Sequence, residues 1–344
     1  MGIIILNILL LFLYALKVGL SSLNIRAKGF LFLTIAFFHL MFMHIFFDSS
    51  KFPDLPGYFT YFKSVSNPNI HSPNLEIGWN ILNRILYSVS HNNLILLFAV
   101  SFLIILFYII TVKRYSAIPW LSIYIFLCTV FYDSLFILRQ HLAIAICLMS
   151  IPYIIDRKPI KFILLTLLAV SFHYSALIWI PAYFIYAIKI NKRFVFMLII
   201  FSVLLYFSMD IILIKLISLT RRIMAYTNPH NQGTIGALKS SAVVLSTLLL
   251  SLYSFKKVEK ITGYNKLFFQ LSIIAFILSL IPFFGTSFTL FSRLHLYYTV
   301  SGIFLIPNAL ANLEDKRLYY ILIPVICICY LFYLRPFVAY GYGF

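Results

Sequence analysis

Charge is what this chain has least of. Charged residues make up 10% of its 344 positions and only nine are Asp or Glu, whereas a soluble domain of this size carries about 25%. That deficit excludes an ordinary water-soluble globule. Cysteine is nearly as thin: Cys128, Cys147, Cys327 and Cys329 all lie inside apolar runs, with neither disulfide nor metal-ligand spacing, and read as small core hydrophobes. Also missing are a Walker-type phosphate loop, a His-Glu-x-x-His zinc motif and any Cys/His cluster. The Asp-x-Asp pair that could hold a divalent ion for a nucleotide-sugar donor is absent too. These gaps argue against a cytoplasmic nucleotide-using enzyme and leave chemistry expected to need neither metal nor cofactor.

What the chain has instead is hydrocarbon-compatible sequence. Hydrophobic residues reach 62%, and apolar runs of roughly 17–25 residues, the length that crosses about 30 Å of bilayer core, recur throughout. Spans are read near Ile3–Leu20, Gly29–Phe47, Asn93–Val112, Ala117–Tyr132, Leu135–Ile155, Ile160–Phe172, Ser175–Ile188, Phe194–Ile212, Ser241–Phe255, Leu267–Phe284, Leu294–Leu310 and Leu318–Leu334. The expected fold is an all-α polytopic membrane protein of about twelve spans, one domain over residues 1–344 with an outer-face cavity. The first span has no charge before it and Arg26 and Lys28 after it, the pattern of an anchor rather than of a signal peptide.

The formal charge of +18 would suggest nucleic acid on a soluble protein; here loop cations orient helices, and no nucleic-acid partner is expected. With Arg26 and Lys28 in the cytoplasm, seventeen of the cations fall inside and twelve of those are Lys, whereas six of the ten left outside are Arg. Lys inside is topology. Arg, His and carboxylates outside read as a site for an anion. This threading requires Ile160–Ile188 to form a hairpin. Two outer loops are long, about residues 48–92 and 215–240, and long connections are usually functional or disordered. In the first, Glu76, Asn80, Asn83, Arg84 and Tyr87 recur at helical spacing with Ile77, Ile81, Leu82, Ile85 and Leu86 between them. They describe an amphipathic helix at the membrane surface or dipping into a cavity.

Candidate chemistry collects at outer helix ends. Arg139, followed by Gln140 and His141, lies in an otherwise apolar run. An Arg there costs at least about 2.5–3.5 kcal/mol on insertion scales and should face the protein interior or a wet cavity. Arg293, with Tyr297 one turn on, is either an interfacial anchor or a second anion ligand. Arg221 and Arg222 offer two guanidinium forks, a geometry suited to pyrophosphate, or form a plain basic loop. His173, in Ser171-Phe-His-Tyr-Ser175, and the scarce outer carboxylates Asp54 and Glu76 are the proton-transfer candidates.

Several segments, in this order, resemble the EpsG-like branch of the Wzy polysaccharide polymerases. They are Pro53-Asp-Leu-Pro-Gly-Tyr-Phe-Thr-Tyr61, Glu76-Ile-Gly78, Arg139-Gln140 with Ala143 and Ala145, Phe172-His-Tyr-Ser-Ala-Leu177 followed by Pro181, and Arg293 with Tyr297 and Tyr298. The chain departs from that pattern before Asp54, where Lys51 and Pro53 stand in place of an Arg. The resemblance implies a multi-pass protein of the bacterial inner membrane that extends O-antigen (lipopolysaccharide) or another surface glycan at its outer face. The resemblance further implies a glycosyltransferase that moves a growing chain from one polyprenyl pyrophosphate onto a repeat unit carried by another, without metal or nucleotide sugar. The implied partners are the bilayer, the polyprenyl-pyrophosphate-linked oligosaccharide and a chain-length regulator protein. Arg139 and Arg293 would meet pyrophosphate, with His173, Glu76 or Asp54 as base, and Arg84, Gln140, Arg221, Arg222 and Tyr297 would contact substrate. The rival readings are a membrane acyltransferase that modifies glycans and a lipid-linked oligosaccharide flippase.

Overall fold

The computed structural model describes residues 2–46, 54–67, 75–189, 197, 200, 233–255, 261, 263–280 and 288–339. The described residues are helical or turn, with no strand. Among the described residues three helices are long and apolar enough to cross a membrane, Arg26–Phe46, Asn93–Tyr115 and Arg293–Ala311, and shorter apolar helices accompany them. The chain divides into two compact units, Met1–Leu177 with Asp315–Phe344, and Ile178–Glu314.

The first unit opens with α1 (Gly2–Leu20) and α2 (Ile25–Phe46), followed by two short helices, α3 (Leu55–Ser64) and α4 (Ile77–Val89), and then the long α5 (Asn93–Tyr115). The described part of the first long connection thus holds two helices, and α4 falls where the amphipathic pattern placed it. Next come α6 (Pro119–Phe126), a π-helical stretch Leu127–Phe131, and the single turn α7 (Tyr132–Ser134). A turn that bonds the Ile137 N–H to the Asp133 carbonyl at 2.9 Å leads into α8 (Leu138–Met149) and α9 (Ile151–Ile155). The expected span Leu135–Ile155 is therefore interrupted. Pro152 cannot donate its backbone nitrogen and its ring crowds the preceding turn, so Ser150 closes α8 by donating its hydroxyl to the Cys147 carbonyl at 2.6 Å. The unit continues with α10 (Pro159–Phe172) and a 3-10 turn beginning at Tyr174, and regains the chain at α16 (Lys316–Ala339).

α5 and α8 lie against each other, with α2 and α10 beside them. Fully buried Ala36, Ala143, Ala145 and Ala169 are the small residues that let such helices approach closely where lipid supplies no hydrophobic drive. His44 ties α2 to its neighbours, with Nδ1 2.6 Å from the Ser101 hydroxyl on α5 and Nε2 3.3 Å from the Ser134 hydroxyl on α7. Leu and Ile side chains on α1 and on α10 (Ile163, Leu164, Leu167, Leu168) are exposed. Apolar faces of that extent belong against lipid rather than water.

The second unit contains α11 (Ile180–Ile185), α12 (Gly233–Phe255), α13 (Gly263–Leu280), α14 (Phe288–Thr299) and α15 (Gly302–Ala311). Polar pairs join these helices: Ser241 with Ser279 at 2.9 Å, Ser272 with Ser301 at 2.7 Å, and Asn308 donating to Asn265 at 2.7 Å. The Gln270 amide caps two carbonyls at the end of the α11 segment, Ile185 and Ile188, at 2.8 Å each. The expected span Phe194–Ile212 lies largely outside the described residues.

This packing carries a stability test. Ala143→Leu overfills a closed interface and is expected to cost about 1–3 kcal/mol, read as a lower thermal midpoint in detergent. Leu164→Ala, on the exposed face of α10, should move it by no more than about 0.5 kcal/mol. Equal losses for both would mean that the outer face of α10 is covered.

Candidate active site

The cluster begins with a carboxylate that does not cap its own helix. Glu76 occupies the position before α4 with an extended backbone, φ −65° and ψ 143°, and its side chain makes no capping hydrogen bond. The carboxylate turns instead into the first unit and is nearly closed off, with 4% of its side chain exposed. A buried carboxylate must be met by donors, and three converge on it. The Arg139 guanidinium donates to Oε2 at 2.6 Å, His173 presents Nδ1 to Oε1 at 3.1 Å, and the Tyr174 backbone N–H donates to the same oxygen at 3.3 Å.

Each donor is delivered by a helix end. Arg139 is the second residue of α8, directly after the turn at Ile137. His173 terminates α10: its extended backbone (φ −157°, ψ 120°) stops the helix while its N–H still bonds the Ala169 carbonyl at 3.0 Å. The chain then turns into the 3-10 segment, which aims the Tyr174 N–H at Glu76. Arg139 and His173 keep 23% and 19% of their side chains exposed, so both reach the carboxylate from positions that are open on another side.

Aromatic rings wall the cluster. The Arg139 guanidinium lies over the Tyr58 ring at 5.7 Å, within cation–π range, and Tyr58 meets the fully buried Trp79 edge to face at 5.3 Å. Asp54 opens α3 one turn before Tyr58 and acts on the Tyr58 hydroxyl through its charge. Farther along, the Tyr61 hydroxyl donates to the Asn80 side-chain carbonyl. The Asn83 amide turns back to the Trp79 carbonyl at 2.8 Å.

α4 can lie this close only because residue 78 is glycine. A Cβ at Gly78 would fall 2.3 Å from the Ser171 hydroxyl, 2.8 Å from the Ser171 carbonyl oxygen and 3.0 Å from its carbon. α4 therefore crosses the end of α10 in direct backbone contact, two residues before His173.

The electrostatics follow from these contacts. Burial pushes the Glu76 carboxyl upward, but the His173 hydrogen bond and the Arg139 charge outweigh it and hold the group at about 2. Such a carboxylate is a weak base at neutral pH and a persistent anchor for two cationic or donor groups. A carboxylate facing Nδ1 fixes the neutral imidazole as the Nδ1–H tautomer, leaving Nε2 as its acceptor. Arg139 has five N–H donors; its buried Nε has no hydrogen-bond partner among the described residues.

Glu76, Arg139 and His173 are thus brought together from residues 63 and 97 positions apart in sequence. Arg84, on α4, lies close enough to Tyr61 to act on its hydroxyl. Gln140 and Tyr297 are fully buried, in α8 and α14, and Arg293 is half-buried in the second unit. Arg221 and Arg222 lie outside the described residues. Sequence reasoning did not single out Tyr58, Trp79 or Gly78 as site-forming. Tyr58 and Gly78 stand inside the Pro53–Tyr61 and Glu76–Gly78 segments, and the four-residue spacing of Asp54 and Tyr58 was the signal available for that pair.

Two tests follow from the geometry. An unfolded Glu titrates near about 4.3. With the folded value lowered to about 2, the stabilisation by Glu76 is fully present above that unfolded value and fades as pH falls through the window toward the folded one. Glu76→Gln is therefore expected to melt lower than the parent at neutral pH, with the gap narrowing as melts are run from pH 5 toward 2. Gly78→Ala should weaken the fold or displace α4, and Ser171→Ala should not rescue it, because two of the three blocking atoms are backbone. Thermal melts of the single and double variants read this, and full rescue would overturn the backbone contact.

No curated protein and no solved structure matches the chain significantly. A family model does: the EpsG family model matches residues 29–342, an interval that contains every described residue of the cluster. The chain belongs to the EpsG family.

Proposed function

We propose that this protein polymerises lipid-linked oligosaccharide repeat units at the outer face of the bacterial inner membrane, transferring glycan from polyprenyl pyrophosphate to a sugar hydroxyl. Membership of the EpsG family supports a surface-polysaccharide polymerase at the general level, and the apolar helices fit a bilayer-borne substrate. The observation that carries the chemistry is one carboxylate, Glu76, holding an arginine and a histidine together.

In this reading His173 is the general base. Its Nε2 takes the proton of the acceptor hydroxyl as that oxygen bonds to the anomeric carbon of the donor. The bond from that carbon to pyrophosphate breaks, and the leaving pyrophosphate carries the electron pair away on its polyprenyl chain. Negative charge grows on the phosphate oxygens, and the Arg139 donors left over by Glu76 stabilise it more in the transition state than in the ground state. Arg293, in the second unit, is kept as a separate candidate for binding an anion. Asp54 and Arg84, which are half-buried, are assigned to the saccharide side, and the fully buried Gln140 and Tyr297 are not. Glu76 is a positioning residue: it orients the imidazole, supports the charge His173 gains, and fixes the guanidinium. The division of labour follows that of an oriented base, in which the carboxylate is never itself protonated.

Deletion in the native host should leave lipid carrying a single repeat unit, displayed on a gel of surface glycan. Persistent long chains with altered acetylation only would transfer the protein to the acyltransferase reading. Arg139→Ala should lower the extension rate by about 10²–10³, or about 2.7–4 kcal/mol, if the donor acts as oxyanion-type donors do. His173→Gln should do the same while protein level in the membrane stays normal. Full extension by both variants would sink the assignment.

A further inference from the structure

α4 is amphipathic the wrong way round for water. Asn83 and the neighbouring Glu76 are buried together with Trp79, while Arg84 is half-buried and the exposed Ser88 returns its hydroxyl to the Ile85 carbonyl at 2.7 Å. Its outward stripe is Ile77, Ile81, Ile85 and Val89, at 67%, 51%, 57% and 72% exposure. Four β-branched hydrocarbons at four-residue spacing lie on one face of a helix and point away from the protein. Beyond the three-residue link Ser90–Asn92 the same exposure continues into α5 through Leu94 and Phe98, and α5 is long and apolar enough to cross a membrane.

Helix lengths fix how deep this stripe sits. α10 has 14 residues, so it rises at most about 21 Å, against about 30 Å of hydrocarbon. It leaves the Arg157, Lys158, Lys161 cluster at its start, which marks one membrane boundary. His173 at its far end then lies about 9 Å or more below the opposite boundary, since tilt only shortens the rise. Gly78 against Ser171 and Glu76 against His173 pin the start of α4 at that depth. Its other end joins α5, whose 23 residues measure about 34 Å and reach the boundary.

We infer that α4 is a re-entrant helix running obliquely through the outer leaflet, with the stripe Ile77, Ile81, Ile85 and Val89 against lipid acyl chains. The occupant of the stripe is the bilayer itself. Continuity with the outward face of α5 and the inward polar side both require a hydrocarbon solvent, because water would demand the opposite orientation. The Glu76 cluster is consequently submerged beside lipid, and a lipid-borne ligand reaches it sideways from the leaflet. This placement holds whichever reaction the cluster performs.

The test uses the full chain with Cys327→Ser and Cys329→Ser, reconstituted in phosphatidylcholine and phosphatidylglycerol vesicles. A polarity-sensitive fluorophore is attached to Ile81→Cys, Ile85→Cys or Val89→Cys, and quenching is compared between lipids spin-labelled near the headgroup and near the chain end. The expected result is a gradient: chain-end lipids quench about twofold more strongly than headgroup lipids at position 81, and the preference reverses at position 89. Three positions keep the gradient readable if one variant does not fold. Quenching by aqueous iodide at all three would place the stripe in water and overturn the inference. A uniform shallow profile would also overturn it, leaving α4 flat on the surface. Efficient disulfide crosslinking between copies through Ile85→Cys, with no lipid quenching, would replace the bilayer by a second copy of the chain and overturn it as well.

Discussion

The first unit is organised around a buried anion. Glu76, at the start of α4, cannot stay charged inside an apolar protein without compensation, and its three donors come from two helix ends that are remote in sequence: the start of α8 and the close of α10. Removing Arg139 would leave the carboxylate without its cation at low dielectric, where such charges are most costly. The salt bridge is therefore a constraint on backbone position as much as an interaction. It decides where α8 begins, which way His173 faces, and how near α4 must approach.

That approach in turn depends on sterics at a single residue. Gly78 meets Ser171 backbone to backbone, and this contact sets α4 and α10 close enough for the Glu76 carboxylate to span to both His173 and Tyr174. Packing, hydrogen bonding and chemistry are linked at this crossing. The histidine can be a competent base only if its tautomer is fixed, the tautomer is fixed by the carboxylate, and the carboxylate is within reach because residue 78 has no side chain. The aromatic wall of Tyr58 and Trp79 adds a second layer, holding the guanidinium over a ring face while the hydrogen bond to Glu76 holds its edge.

The bilayer is the other half of the environment. Apolar side chains that would be liabilities in water cover α1, α4 and α10, and they leave polar groups nowhere to go but inward. Asn80, Asn83, His44, Ser101 and Ser134 all find partners inside the helix bundle. Several polar residues of the first unit thereby collect in the interior.

The helices of this protein were legible because hydrocarbon imposes length and composition directly on the sequence: Asn93–Tyr115 and Ile25–Phe46 emerge within a few residues of the apolar runs that predict them. The amphipathic period between Glu76 and Tyr87 likewise announced α4, since a helical face is written at fixed spacing. Glu76, Arg139 and His173 could each be picked out one at a time, as ionisable residues scarce in an apolar chain. Their union could not, because no local pattern encodes which helix ends meet across separations of 63 and 97 residues. Nor does periodicity say which face of α4 turns inward; that depends on the solvent around it and on the neighbour it packs against. Sequence by itself determined the all-helical, membrane-embedded class and the family, through hydrophobic length and short ordered motifs. Only tertiary structure decided that one carboxylate holds both the arginine and the histidine, because long-range pairing of buried charge is settled by packing, not by spacing.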